Sequence, residues 1–125
     1  MAKSMADYLI LNGSSFTLSG PGGHKNFPLA ANVFQEDFVS GGSRNPIIAF
    51  LVRPLVKNVK MRIEVNSTEV HVLATEDEDK LVVKGYWQNF DGGLLKKNQA
   101  NTIHFEVDEG EVRISDVVLW FQRNV

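Results

Sequence analysis

The sequence contains no cysteine. That absence excludes disulfides, thiolate metal sites and a cysteine nucleophile, so the fold must be held by packing alone. Surplus positive charge is missing too: 13 basic against 15 acidic side chains give a formal net charge of -2. With no excess of cations to neutralise phosphates, sequence-independent nucleic-acid binding is not expected. No apolar stretch approaches the ~20 residues of a membrane-spanning helix, and no membrane partner is expected. The N-terminal "MAKSMADYLILNG" lacks the apolar segment of about 7–15 residues that a secretory signal carries. The chain as given therefore reads as cytoplasmic, or as secreted if a signal has been removed. Residues 1–7 read as a leader and 8–125 as one domain, long enough to bury a single core.

Catalytic signatures are also lacking. There is no Gly-x-Ser-x-Gly elbow, and "SGPGGHKN" at 19–26 has glycines without the strand–loop–helix setting or the Gly-Lys-Ser/Thr ending of a phosphate cradle. The three histidines, His24, His71 and His104, form no metal-ligand spacing; parity places His71 and His104 on the outward sides of their strands. Glu76–Asp79 is acidic but lacks the glycine turn and spaced ligands of a calcium loop, and reads as a solvated turn. No enzyme activity, metal or cofactor is expected. Asn12-Gly13-Ser14 and Asn66-Ser67-Thr68 match a glycosylation acceptor but read as turns.

What the sequence does have is alternation with a period of two. Val59, Met61, Ile63 and Val65 alternate with Lys60, Arg62 and Glu64, and Val70, Val72 and Ala74 resume the pattern beyond Asn66-Ser67-Thr68. Ile103, Phe105 and Val107 oppose His104 and Glu106; Gly110, free to take positive φ, then turns the chain toward Val112 and Ile114 as a hairpin. Val117–Phe121 breaks the alternation with an unbroken apolar run, as does Ile47–Val52, which suits strands covered on both faces or meeting another subunit. Asn12-Gly13 predicts an N-terminal hairpin of Tyr8–Leu11 with Ser15–Leu18. Residues 32–39 read equally as strand or helical turn. Eight or nine short strands without an amphipathic helix predict an all-β antiparallel β-sandwich, a jelly roll before an immunoglobulin-like sandwich.

From Leu94 onward, "LLKKNQANTIHFEVDEGEVRISDVVLWFQ" resembles the closing strands of galactose-binding-like jelly rolls, a group that includes many carbohydrate-binding modules. The features that carry the resemblance are Leu94 or Leu95, Asn101, the alternating Ile103–Val107, Gly110 and Ile114-Ser115-Asp116. It covers roughly a quarter of the chain. It implies a jelly roll whose ligands sit on end loops or on a sheet face, and it carries over no sugar-contact residue.

Trp87 beside Tyr86 is the candidate sugar platform, because a flat ring can stack on the apolar face of a pyranose, and Gln88, Asn89 and Asp91 follow as hydrogen-bonding neighbours. The competing reading makes the aromatic pair core filling. Arg44, Asn45 and Arg53 lie in or beside the 41–46 loop, where a guanidinium could pair with a carboxylate or with sugar hydroxyls. The expected function is a non-catalytic ligand-binding module, lectin-like, for carbohydrate or another small polar ligand. The alternative is a structural or assembly protein whose sandwich forms a homo-oligomer interface, suggested by the apolar surplus at Ile47–Val52 and Val117–Phe121.

Overall fold

The computed structural model describes residues 4–36, 38–39, 45–75 and 82–124. Nine strands account for most of them: β1 Ser4–Ser19, β2 Gly23–Leu29, β3 Phe38–Val39, β4 Ile47–Pro54, β5 Val59–Val65, β6 Thr68–Thr75, β7 Lys84–Asn89, β8 Asn101–Glu109 and β9 Glu111–Asn124. The one helical feature among the described residues is a single 3-10 turn at Gly92–Leu94. The strands form two antiparallel sheets. One has the order β1-β9-β4-β7, with β3 pairing to β9, and the other β2-β8-β5-β6. Except at the β5–β6 hairpin, each chain connection among β4 to β9 crosses from one sheet to the other. This is the jelly-roll sandwich that the strand pattern predicts.

Alternation explains the layering. Val59, Met61, Ile63 and Val65 of β5 and Ile103, Phe105 and Val107 of β8 are all sealed from solvent, while the residues between them face out. From the other sheet Ile48, Phe50 and Val52 of β4 and Ile114, Val117 and Leu119 of β9 meet them. Phe50 and Phe105 touch edge to face across the gap, 5.4 Å between ring centres, an arrangement that aromatic quadrupoles favour. Phe34, Phe38 and Phe121 pack together with centres 5.0 to 6.0 Å apart and close one end of the core. They assign the segment read equally as strand or helical turn to a turn followed by the short β3.

Several local expectations give way to longer-range pairing. The Asn12-Gly13 hairpin does not form: β1 passes straight through it and pairs with β9 from end to end, the register slipping between Ile10 and Asn12 and again before Ser15. Asn12 still makes its local turn, accepting from the Ser14 amide and hydroxyl, but a continuous partner strand absorbs that turn as a bulge. Strand β1 starts at Ser4, inside the segment read as a leader. The turn at Gly110 has the expected left-handed backbone, φ 86, yet it joins the two sheets rather than closing a hairpin, because β8 and β9 lie in different layers. A Cβ there would come within 2.8 Å of the Asn58 carbonyl oxygen. Of "SGPGGHKN", only the stretch around Pro21 is loop, and Gly23 onward belongs to β2.

The apolar run in β9 has its own physical cause. Asp116 adopts φ 53 and shifts the pairing, so that both Ile114 and Val117 face inward. Beyond it the period of two resumes: Val117, Leu119 and Phe121 are buried, while Trp120 is 43 % exposed. The strand is interior in its sheet, but its outer face is open.

Candidate functional site

The outer face of the five-stranded sheet carries a strip of exposed apolar side chains set by cross-strand register. One row runs Tyr8, Trp120, Ile47, Asn89 across β1, β9, β4 and β7; the next runs Ile10, Val118, Ala49, Trp87. Successive strands lie about 4.8 Å apart and same-face neighbours along a strand roughly 7 Å apart, so these residues form one continuous surface. Trp87 is 83 % and Tyr8 52 % exposed. Tyr8 leans against Trp120 with ring centres 5.0 Å apart. Between Trp87, Trp120 and Ile47 lies a shallow depression of about 370 Å³. Leu51 continues the strip and lies over Gly85, where an added Cβ would touch it at 3.4 Å.

The residues singled out in the sequence separate along this geometry. Trp87 and Asn89 point outward, but Tyr86 faces the interior and stacks on Phe50 at 5.7 Å. Gln88 also turns inward and bonds the His71 ring at 2.8 Å, so strand parity splits a pair that is adjacent in sequence. His71 corrects a parity expectation as well. A bulge between its pairing with Ile63 and the Glu64–Glu69 pair places it on the inner edge, against Phe50 and Tyr86. It is therefore nowhere near an outward His104. Asp91 caps the 3-10 turn by accepting from the Gly93 amide at 2.9 Å, and Asn45 accepts from the Gly92 amide at 3.2 Å. Asn45 also borders a second recess beside Ile47, Trp120 and Gln122. Arg53 lies on the strip's own face, paired across strands with Arg113, about 13 Å along β4 from Ala49 at the usual rise per residue. Arg44 and Glu76–Asp79 lie outside the described residues.

Trp120, Tyr8 and Ile47 are among the strip members that sequence reasoning did not select as ligand contacts. The outward parity of Trp120 could have been found by continuing the alternation through Val117–Phe121. That Tyr8 lies across from it depends on a pairing between chain ends.

The opposite sheet presents a polar face. Arg62 bonds Glu64 at 2.9 Å and Glu106 at 2.7 Å, and it also pairs with Asp108. Bonds to Glu64 and Asp108 hold the guanidinium even further above its ordinary value. The His104 ring stacks on His24 and bonds both Asn26 and Glu106. The His104 bond, followed by the Arg62 charge, holds the Glu106 carboxyl below its usual range. No group of three or more potential metal ligands is found among the described residues.

A two-sheet jelly roll with an aromatic strip on one face and a polar cluster on the other is the class that these observations define. No protein-family model matches the sequence, and no curated protein matches it. Solved structures do match its fold. A β-porphyranase of glycoside hydrolase family 86 from the human gut bacterium Bacteroides plebeius superposes with TM-score 0.69 at 18% identity, over 99% of this chain. The chain spans only 21% of the length of that protein. The C-terminal family 6 carbohydrate-binding module of a marine laminarinase from Zobellia galactanivorans gives TM-score 0.53 at 9% identity, covering 94% of this chain and 99% of the module. A family 36 carbohydrate-binding module of a multidomain xylanase, from the hindgut metagenome of Trinervitermes trinervoides, gives TM-score 0.54 at 9% identity, with 94% and 96% covered. The chain therefore has the jelly-roll fold of carbohydrate-binding modules, as the resemblance of its closing strands implies.

Proposed function

We propose that the protein is a non-catalytic carbohydrate-binding module that holds a sugar chain on the outer face of its five-stranded sheet. The observation that carries this reading is the pair of exposed tryptophans, Trp87 and Trp120, facing the same way on either side of Ile47. Flat indoles stack on the apolar C–H face of a pyranose and bring a large apolar contact area to it. Asn89 and Gln122 border the rings and supply amides for sugar hydroxyls. The match to whole carbohydrate-binding modules, end to end, supports the same reading. A non-catalytic role accords with one carboxylate cluster among the described residues, Glu64, Glu106 and Asp108, each of which is ion-paired with Arg62.

Calorimetry against laminarin, xylan and neoagarooctaose tests the proposal. Trp87→Ala is expected to weaken binding at least about tenfold, or roughly 1.4 kcal/mol. An exposed surface change of this kind should leave stability within about 0.5 kcal/mol. Wild-type protein that binds none of these glycans, or a Trp87→Ala variant that binds as well as wild type, would remove the basis for it.

One observation favours a second reading. Ile10, Tyr8, Trp120, Ile47, Leu51 and Trp87 are all exposed on a single face, and neighbouring exposed apolar side chains are what protein contact surfaces are built from. That surface also suits contact with a second copy of the chain.

A further inference from the structure

We infer that the protein has a second, separate ligand site: a polar cleft on the four-stranded sheet that takes a single neutral, hydroxyl-rich ligand such as a sugar unit. The cleft measures about 450 Å³, within the range of small-molecule sites. Its floor is one cross-strand row in which Asn26 of β2 and Glu64 of β5 flank His104 of β8. Lys96, Thr102 and Ser67 form its rim.

The rim is fixed in place before any ligand arrives. Asn101 is 2 % exposed, and its side chain bonds the Lys96 amide at 2.8 Å, the Lys96 carbonyl at 3.0 Å and the Gln99 carbonyl at 3.1 Å. Asn66, held at φ 48, donates to the Asn101 side chain and to the Leu94 carbonyl, both at 2.7 Å, and accepts from the Thr102 amide. Two interlocked amides thus clamp the 94–100 loop onto the β5–β6 turn. Holding the rim rigid lowers the entropy cost of binding.

The hydrogen-bonding capacity left over defines the ligand. His104 spends both ring nitrogens on Asn26 and Glu106, and Asn66 is saturated by the bonds above. One Glu64 oxygen is used by Arg62; the other can accept. The outer atom of the Asn26 amide is unspent, and the hydroxyls of Ser67 and Thr102 and the ammonium of Lys96 can donate. A carboxylate oxygen lining the same cleft as several donors is complementary to adjacent hydroxyls, each of which both donates and accepts. The lining has no phenyl or indole ring, so recognition here rests on hydrogen bonds rather than stacking, and the site works independently of the tryptophan strip.

Titration of the 15N-labelled full chain with D-galactose, D-glucose and D-glucuronate, followed through backbone amide shifts, tests the inference. Saturable shifts at Thr102, Ser67 and Asn26 are expected with a neutral hexose, unchanged in Trp87→Ala. In the double variant Asn26→Ala, Lys96→Ala they are expected to weaken at least fivefold, with the rest of the spectrum preserved. Shifts confined to the two tryptophans and their neighbours would overturn the second site and leave the proposed function standing. Shifts at the cleft with D-glucuronate alone would overturn the neutral ligand class. The absence of saturable cleft shifts with any of the three sugars would overturn the site itself.

Discussion

Asn101 and Glu106 show how much individual side chains contribute, because each sits at the centre of a network. Asn101 is a buried amide with its polar atoms fully used, and replacing it strands the groups it satisfied. A buried unsatisfied partner costs about 1–3 kcal/mol, so Asn101→Ala is expected to lower unfolding free energy by about 2–3 kcal/mol in urea melts. Glu106 makes a prediction about pH. Its carboxyl is held below the usual value, first by the bond from His104 and then by the Arg62 charge. A depressed folded-state value stabilises the protein above the unfolded value, and that contribution is lost as pH falls through the folded one. Wild type should therefore exceed Glu106→Gln in thermal stability at neutral pH, with the difference shrinking as the medium becomes more acidic than the ordinary carboxylate range. Partial exposure of the group keeps the effect modest. Arg62 stays charged throughout and adds no slope of its own.

At the scale of elements, bulges decide which side chains reach which face. Asp116 holds a left-handed backbone, φ 53, and thereby returns Val117, Leu119 and Phe121 to the core while Trp120 emerges on the strip. A left-handed residue costs a branched side chain about 1–2 kcal/mol, whereas glycine takes that conformation freely. Asp116→Val is expected to lose about that much in denaturant titration, and Asp116→Gly to lose little or none. The slip after Ile10 in β1 plays the matching part opposite. In the core strands, Ile63 is sealed between the layers, and Ile63→Ala should cost about 2–5 kcal/mol. Strand identity was legible in β5, β8 and the start of β9 because half-buried strands imprint a period of two. In β6 the expected set Val70, Val72 and Ala74 has the wrong parity: Leu73 and Thr75 are buried and Val72 is 59 % exposed, because the bulge after Ile63 shifts the register. Pairing partners were not legible: the Asn12-Gly13 and Gly110 turns have sound local chemistry, but whether a turn closes a hairpin or crosses between layers depends on where the distant partner strand lies.

For the molecule as a whole, the two faces divide the chemistry, one aromatic and one polar, with the sandwich core between them. Light scattering coupled to size exclusion distinguishes the uses of the apolar strip. Under the carbohydrate reading the protein is expected to run as a monomer whose glycan binding depends on Trp87. A dimer that dissociates on Trp120→Ala and binds no glycan would place the strip at a subunit interface instead. With the cleft occupied as well, binding of a short oligosaccharide should fit two independent sites, and Trp87→Ala should remove one of them.

Composition and periodicity were enough to establish an all-β sandwich without cysteine chemistry, because burial on one side of a strand writes itself into every second residue, while Trp87 was picked out by the chemistry of its ring and of the polar residues that follow it. These signals could not show that Tyr86 and Gln88 turn away from Trp87 while Tyr8 and Trp120 join it, or that Asn26, His104 and Glu64 line up across three strands. Those groupings arise from hydrogen-bonded register between segments far apart in the chain, and register is set by the summed packing of two whole sheets rather than by any local run of residues.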